Sequence, residues 1–515
     1  MPYIKLGDLL TVNGLDTSSP AEFIDPKNTP ECQNVEVNRN VIKKRTGTTQ
    51  MGLTLSEEVM AGLEFIRETT RYNIRVGLDK IEEWDDTNTT WNDVTGSALT
   101  GTTNDPICLT TMLLSGKRIA IITNFVDNIR KYTGTGNTAD LGGTPPQAKF
   151  AVGYGDYLVL AHINDTTKFP MRVQWCDTAD PETWTGGNSG SKDLIEDGKD
   201  ITGLAVFGNY VAVHKETAIY LGYLVDTSAV FRFDRKPTGS GTICNATIQN
   251  LPTGEQIFLA NDGLRLFNGI STPLIESPIL DDLREGVNPE YVHKSWSVLV
   301  EEKDEYWLGV PIGSQTTGDT VFKYNYRTGK CYKDTRSKIT AAWTYTEGAQ
   351  PAWDDQTLTW DTITGRWDDK TIANLFQRVI LSNNAGITVE LNSTVNNDNA
   401  STIDGYWQSK DFTVLDFTKD ASTAGHLMQW VGLEIWAKGN TLDVEYSIDE
   451  GQTWNSKTTL TLDTDNYPSD DAPQMYYIDV ISTKIRFRFR NNVSSEMFYL
   501  KQFTVQARLR EHRSR

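Results

Sequence analysis

The chain has 515 residues, enough for two or three packed units, and 38% of them are hydrophobic, which excludes a chain that is disordered throughout. Lys and Arg number 49 against 68 Asp and Glu, so the formal net charge at pH 7 is −19. Such a charge repels phosphate, which argues against a protein that wraps nucleic acid but not against a conduit through which DNA slides.

The cysteines and the N-terminus indicate where the chain is made. Five cysteines occur without any C-x-x-C pair, an arrangement that predicts reduced thiols in a reducing cytoplasm. The first residues show no charged region followed by an apolar one, so we expect no signal peptide. Apolar runs stay far short of the roughly 20 residues that a membrane helix needs, so we expect no membrane insertion.

Short alternating or apolar runs, punctuated by Gly, Asn, Asp and Thr, predict an all-β fold. Helical periodicity is confined to short pieces such as 279–285. Residues 1–58 are expected to form an N-terminal arm and the first strands. Whether the strand at 34–37 closes the repeat that follows, by joining its last unit, stays open from the sequence.

A loose repeat runs from about residue 63 to about residue 391. Its units offer apolar strands at equivalent places: 118–122, 157–161, 210–213 and 256–260. The spacing of about 40 to 50 residues is the length of a four-stranded antiparallel blade. Because one blade cannot bury both of its faces alone, blades must pack radially. We therefore predict a β-propeller-like domain over 59–395, with an array of two-sheet sandwiches as the alternative.

Near 350–370 this domain carries three W-D pairs, which begin at Trp353, Trp360 and Trp367. WD-type propellers have one such pair per blade, and a spacing of 7 residues is too short for that arrangement. We interpret the segment as a Trp-rich hairpin insertion, with Trp packing across the ribbon and Asp in the turns.

Beyond a polar, turn-rich boundary at 396–402, four runs largely alternate between apolar and polar residues: 431–436, 441–446, 475–480 and 485–490. This is the pattern of strands with one face in a core and one in water. We predict a C-terminal β-sandwich over 396–507.

Residues 508–515 are predicted to form a basic tail. Its candidate contacts with a partner subunit or with DNA are Arg508, Arg510, Arg513 and Arg515. A frayed tail in solvent is the alternative.

One motif suggests catalysis: Ser447, Asp449, Gly451, Thr453 and Trp454 match the S-x-D-x-G-x-T-W pattern of an Asp box. Asp boxes are frequent in sialidases, where they repeat in several blades and lie away from the catalytic centre. Here the box occurs once, in the sandwich segment. We interpret it as structural, with Asp449 and Gly451 setting a hairpin turn and Trp454 anchoring that turn to the sheet.

Other chemistry is hard to assign. No acid pair can be singled out for glycoside hydrolysis among 68 carboxylates. The five histidines are scattered without zinc-binding spacing, and no calcium, Walker or dinucleotide loop is seen. We therefore predict no catalytic residues, no cofactor and no metal, and we expect that the protein is not an enzyme.

Several motifs follow one another in a recognisable order. G-L-D-T-S-S-P occupies 14–20, N-V-E-V occupies 34–37 and a basic K-K-R-T-G turn occupies 43–47. A W-C-D-T-A-D-P-E-T-W turn at 175–184 precedes a D-G-L-R-L-F-N-G hairpin at 262–269. In this order they resemble a family of tailed-bacteriophage proteins, the hub, nozzle or packaged-DNA stabilisation proteins of short tails.

The resemblance implies a structural virion protein of the tail, assembled in the cytoplasm of the bacterial host. It implies a homo-oligomeric ring, expected to be a hexamer, that extends the DNA channel below the portal and adaptor and helps to retain and then release the genome. Its partners would be adaptor or portal-side proteins, distal tail proteins and, transiently, double-stranded DNA. The alternative is a carbohydrate-binding or glycan-cleaving propeller of depolymerase or sialidase type, supported by the Asp box and the many aromatic residues.

Overall fold

The fold is known from a computed structural model. It describes residues 4–9, 13–38, 40–225, 229–275, 279–346, 377–418, 423, 425–469 and 472–510. The predicted Trp-rich insertion at 350–370 lies outside these residues. Within them, strands form a β-propeller and a β-sandwich, so the predicted all-β fold class is confirmed.

The N-terminal segment contributes strands to both parts of the molecule. Its strands are β1 (Ile4–Leu9), β2 (Gly14–Leu15), β3 (Asn28–Thr29), β4 (Cys32–Gln33), β5 (Val35–Asn38), β6 (Val41–Lys44) and β7 (Gly47–Gln50). β7 joins the propeller, β1, β5 and β6 join one sheet of the sandwich, and β4 joins the other. In this segment β2 pairs with β3 and β5 pairs with β6, whereas β1, β4, β6 and β7 pair with strands from distant parts of the chain.

The first three blades follow in chain order. Blade 1 has β8 (Val59–Arg67), β9 (Thr70–Gly77), β10 (Ile81–Asp85) and β11 (Thr90–Asp93). Blade 2 has β12 (Cys108–Leu114), β13 (Lys117–Thr123), β14 (Arg130–Tyr132) and β15 (Ala139–Asp140). Blade 3 has β16 (Gln147–Tyr154), β17 (Tyr157–Asp165), β18 (Thr167–Trp175) and β19 (Gly190–Asp193). Within each blade, neighbouring strands pair antiparallel in sequence order.

The next three blades repeat this pattern. Blade 4 has β20 (Ile201–Phe207), β21 (Tyr210–Lys215), β22 (Ala218–Leu224) and β23 (Phe231–Lys236). Blade 5 has β24 (Gln249–Asn250), β25 (Gln256–Ala260) and β26 (Gly263–Phe267), and α1 (Leu280–Gly286) follows it. Blade 6 has β27 (Trp296–Val300), β28 (Glu305–Val310), β29 (Thr320–Asn325) and β30 (Cys331–Thr335). Short 3₁₀ turns lie at Asn245–Thr247, Val292–Lys294 and Glu301–Lys303.

Blade 7 joins the two ends of the repeat. β31 (Ile339–Thr346), β32 (Gln377–Asn383) and β33 (Thr388–Asn392) come from the end of the repeat, and β7 pairs antiparallel with β33. The inner strand β31 also contacts β8 of blade 1. The described residues thus form a closed ring of seven blades without an open edge between the first and last. The closing strand is Gly47–Gln50, whereas 34–37 belongs to the sandwich.

The predicted repeat corresponds to one strand position in the blades. The apolar runs at 118–122, 157–161, 210–213 and 256–260 form β13, β17, β21 and β25, the second strand of blades 2 to 5. These strands are almost fully buried because neighbouring blades cover both of their faces.

The sandwich packs two sheets against each other. One contains β38 (Met428–Gly439), β41 (Gln474–Ser482) and β43 (Phe498–Leu509) with β1, β5 and β6. The other contains β36 (Gly405–Gln408), β37 (Phe412–Thr413), β39 (Thr441–Ser447), β40 (Asn455–Thr461) and β42 (Lys484–Asn491) with β4. A short helix, α2 (Val414–Thr418), follows β37. The rings of Phe489 and Phe503 meet between the sheets at 4.9 Å between centroids.

Two predicted boundaries shift. A hairpin of β34 (Asn397–Asp398) and β35 (Ser401–Thr402) still belongs to the sheet of blade 7, because β34 pairs with β7. The passage to the sandwich therefore comes after Thr402 and not at 395. At the other end, β43 continues to Leu509, inside the segment predicted as a tail.

The propeller and the sandwich share one continuous apolar core. Leu15, Cys32, Val35 and Ile42 of the N-terminal segment are at most 1% exposed and lie in the same cluster as side chains of blades 5 and 6 and of both sandwich sheets. Burial of this joint favours a fixed placement of the two parts.

Candidate functional site

The Asp box forms the turn between β39 and β40. The Ser447 hydroxyl lies 2.6 Å from Asp449 Oδ1 and accepts the Gly451 N–H at 2.8 Å. Thr453 donates its N–H and its hydroxyl to the Asp449 carboxylate, at 2.9 and 2.5 Å. The Ser447 and Thr453 side chains lower the pKa of Asp449 to about 2. This carboxylate is therefore ionised at neutral pH and engaged within its own turn.

Trp454 lies at the end of this turn, against the outer face of β42. The Arg488 guanidinium stacks over its ring at 4.2 Å from the ring centroid, and Arg488 also pairs with Glu445 of β39. A cation over an indole ring is an attractive contact. The structure therefore brings all five Asp-box residues together in one hairpin end beside β42.

An arginine ladder on β42 extends from this point. Arg486 donates to both oxygens of Asp411 at 2.7 Å, and Arg490 donates to both oxygens of Asp404 at 2.8 Å. Bidentate pairs of this kind fix the geometry of both side chains. The alternation of Arg with Phe and Ile at 485–490 was the visible sequence signal, but the acidic partners Asp404 and Asp411 come from the residues just before β36 and β37.

The predicted basic tail begins inside the sandwich. Arg508 lies on β43 opposite Gln429, and Arg510 donates its N–H to Leu427 O and its Nη2 to Gln429 Oε1, both at 3.0 Å. Arg513 and Arg515 lie outside the described residues. The first part of the tail is therefore ordered by strand pairing.

A buried ionic cluster, which sequence reasoning missed, lies where the propeller meets the sandwich. Lys323 of blade 6 pairs with Asp334 at 2.6 Å, and Arg45 Nε lies 3.5 Å from the same carboxylate. All three side chains are at most 1% exposed. Arg336 also contacts Asp334, at 3.4 Å. We call Arg45, Lys323, Asp334 and Arg336, together with Glu36, the junction cluster.

Glu36 connects this cluster to strand β5. Its carboxylate lies 2.9 Å from Lys303, 3.5 Å from Lys323 and 3.5 Å from Lys43. Burial alone would raise the pKa of Glu36, but the three ammonium groups outweigh it and hold the pKa well below its usual range. Glu36 and Arg45 belong to the N-V-E-V and K-K-R-T-G motifs, which are the available sequence signal.

Two cavities lie among the described residues. One of 680 Å³ lies between the N-terminal segment, α1 and blade 6, and Asp281, Asp282 and Glu285 of α1 contribute carboxylates to its lining. The other, of 560 Å³, is lined by β12, β16 and β20, the first strands of blades 2 to 4, and by Arg118 and Asn245. Among the residues described, no group of three or more His, Cys, Asp or Glu could hold a metal ion.

All five cysteines are free and buried. Burial raises the pKa of Cys108, Cys176 and Cys244 to about 11, which leaves their thiols protonated and unreactive. Among the residues that the structure describes, no helix is long and apolar enough to span a membrane.

Comparison with known proteins gives only distant similarity. No protein-family model matches the chain, and no curated protein sequence matches it. Among solved structures, U3-55K aligns with 8% identity and a TM-score of 0.39, over 67% of this chain and 98% of that one. BamB from Moraxella catarrhalis aligns with 10% identity and a TM-score of 0.34, over 67% and 97%.

The β-propeller domain of Cps50 (Swd1) from Myceliophteria thermophila aligns with 8% identity and a TM-score of 0.41, over 67% of this chain and 99% of that one. These TM-scores are too low to support an argument. The assignment of this chain as a β-propeller protein rests on the strand pairing within its own blades.

Proposed function

We propose that the protein is a structural subunit of a bacteriophage tail, a hub or nozzle protein whose ring extends the DNA channel below the portal and adaptor. In this role it helps to retain the packaged genome and then to release it. One observation carries the proposal: Glu36 and Arg45, within the motifs that resemble this protein family, contribute to the junction cluster between propeller and sandwich.

A tail subunit has to keep its parts in register while force acts along the channel. The junction cluster suits that requirement, because separating Arg45 and Lys323 from Asp334 would leave charges buried without partners, at a cost of several kcal/mol per ion. The net charge of −19 suits a wall that duplex DNA passes without binding.

The alternative, a glycan-binding or glycan-cleaving propeller, depended most on the Asp box. Both carboxylate oxygens of Asp449 accept hydrogen bonds from Ser447 and Thr453. The box also lies in the sandwich and outside the blades. These contacts give the box a structural role, so we do not propose catalysis for it.

The test is the assembly state of the full-length chain. Mass photometry over a range of concentrations and class averages from electron microscopy should show closed rings, with six subunits as the expected number. Glycan-array binding and release of sugars from bacterial polysaccharide are measured on the same sample. A chain that stays monomeric and binds or cleaves glycan would overturn the proposal in favour of the alternative.

A further inference from the structure

The chain contains two Asn-Gly dipeptides, Asn13-Gly14 and Asn268-Gly269. In such a dipeptide the backbone nitrogen of the glycine can attack Cγ of the asparagine, because only Cβ, Cα and the carbonyl carbon separate the two atoms. Glycine leaves its nitrogen open to this approach, since it carries no side chain. The two sites are alike in sequence, but the fold places them differently.

Asn268 and Gly269 form an exposed turn directly after β26, the third strand of blade 5. The side chain of Asn268 is exposed, and Gly269 has a φ of 90°, which favours glycine. The pairing of β26 with β25 ends at Phe267. Among the described residues, none accepts a hydrogen bond from the Gly269 N–H. The attacking nitrogen is therefore not held in a strand ladder.

The carboxamide of Asn268 is bonded to its own turn. Its Oδ1 accepts the N–H groups of Ile270 and Ser271, at 3.0 and 2.9 Å. Attack on Cγ moves negative charge onto this oxygen, and two N–H groups that already point to it stabilise that charge. The Ser271 hydroxyl lies 3.3 Å from Nδ2, so a proton donor stands beside the nitrogen that has to leave.

The other dipeptide lies in the N-terminal segment, against blade 6. Gly14 is buried in β2 and pairs with Asn28 of β3, and the Asn13 N–H donates to Lys27 O at 3.2 Å. A Cβ atom at Gly14 would lie 2.6 Å from Cys331 O, so this backbone packs directly on blade 6. Ring closure at Asn13 therefore requires local unfolding of β2, which few molecules undergo at any moment.

We propose that Asn268 is a modification site, at which the folded protein deamidates spontaneously, and that the fold protects Asn13. The Gly269 nitrogen bonds to Cγ of Asn268, its proton passes to Nδ2, and the Cγ–Nδ2 bond breaks with loss of ammonia. Water then opens the resulting cyclic imide. Opening at Cγ gives aspartate, and opening at the backbone carbonyl carbon gives isoaspartate. The inference goes beyond the proposed tail function and does not depend on it.

Modification changes the contact between blades 4 and 5. Gly269 lies against Phe207 of blade 4, since a Cβ atom at Gly269 would be 3.2 Å from the Phe207 ring. Phe207 in turn packs against Phe267 of blade 5, at 4.9 Å between ring centroids. An isoaspartate adds a methylene group to the backbone of the turn, and either product adds a negative charge. Aged protein should therefore unfold at a lower denaturant concentration than fresh protein.

The experiment incubates the full chain at neutral and at alkaline pH and follows both sites by peptide mapping with mass spectrometry. In the folded chain, Asn268 should convert about tenfold faster than Asn13 or more, because only Asn13 needs local unfolding. The rate at Asn268 should rise with pH, since the attacking group is the deprotonated nitrogen. In guanidinium the two sites should convert at similar rates, because the fold no longer separates them.

Two variants complete the test. Asn268→Gln keeps the amide but closes the ring poorly, so its unfolding midpoint should stay constant on incubation while that of the parent falls. Asn13→Gln is the matched control and should age as the parent does. Absence of conversion at Asn268 in the folded chain, equal conversion of the two sites there, or equal ageing of Asn268→Gln and the parent would overturn the proposal.

Discussion

The Arg45 guanidinium donates to both carboxylate oxygens of Asp398, at 2.9 Å from Nη1 to Oδ1 and 2.5 Å from Nη2 to Oδ2. The two residues are 353 positions apart in the chain. Arg45 lies between β6 of the sandwich and β7 of the propeller, and Asp398 lies on β34, which pairs with β7. The pair therefore fixes the chain where it crosses from one part of the molecule to the other.

Arg45→Met should destabilise the protein by about 3 to 5 kcal/mol, because it leaves the carboxylate of Asp334 buried with one cation fewer. Differential scanning calorimetry should also show the propeller and the sandwich melting as two transitions, since the joint between them is weakened.

The control for this variant is an exposed ion pair. Lys117 and Glu68 lie 2.6 Å apart with 51% and 61% of their side chains exposed, so Lys117→Met should lower the stability far less than Arg45→Met does. Equal losses in the two variants would show that the junction cluster contributes no more than a surface pair.

Gly62→Ala should destabilise the packing of blade 1 against blade 7, which we call the seam. A Cβ atom at Gly62 would lie 2.2 to 2.4 Å from carbons of the Trp343 indole, and Trp343 is held in place by a 2.9 Å hydrogen bond from its Nε1 to Asn73. Overpacking of this kind costs about 1 to 3 kcal/mol. Denaturant unfolding of the parent and the variant measures the loss.

Two further variants bear on the seam. Trp343→Leu in the Gly62→Ala background should recover part of the loss, since the obstructing ring is gone. Gly286→Ala, whose nearest atoms would lie at 3.4 Å, should stay close to the parent. No coupling between positions 62 and 343 would contradict the described packing.

Acid should weaken the contact between blades 4 and 5. His214 is fully buried beside Gln256, with 2.7 Å between its Nε2 and Gln256 Oε1, and burial lowers its pKa from 6.5 to about 4 despite that hydrogen bond. Between these values the unfolded chain binds the proton and the folded chain does not, so stability falls as the pH falls from about 6.5 to 4.

The full effect of the His214 shift is about 3 kcal/mol, at 1.36 kcal/mol per pKa unit. Unfolding free energies of the parent and of His214→Gln, measured across this pH range, isolate it. The difference between the two should shrink as the pH falls, and a difference that is constant with pH would refute the assignment.

Asp449→Ala should loosen the turn between β39 and β40, because three hydrogen bonds end on its carboxylate. Limited proteolysis should cut at 448–453 several-fold faster than in the parent. The folded-state pKa of about 2 lies below the ordinary 3.8, so the stabilisation by this carboxylate is present above about pH 4 and is lost as the pH falls towards 2.

Glu450→Gln serves as the control in the same turn, since Glu450 pairs with Lys484 at the surface and its carboxylate does not hold the turn itself. It should leave the cleavage rate near that of the parent. If Asp449→Ala instead abolished release of sugar from a glycan while the turn stayed resistant to protease, the structural role of the box would be wrong.

Local patterns determined much of this protein. The buried second strands of the blades, such as β17, follow from apolar runs of blade length, and the turn from Ser447 to Trp454 follows from side chains that bond to their own backbone. The sandwich strand β42 shows the same property, because its alternation of Arg and Phe fixes which face is buried.

The tertiary structure alone decided how these pieces are joined. β7 closes the propeller on β33, β6 pairs with β43 in the sandwich, and Arg45 meets Asp398, all between residues hundreds of positions apart. Such contacts leave no periodicity in the sequence, because the partner of each strand edge or charge is chosen by packing of the whole chain. The sequence by itself specifies the blades and the turns, and folding specifies which strand closes the ring and which charges become buried at the joint.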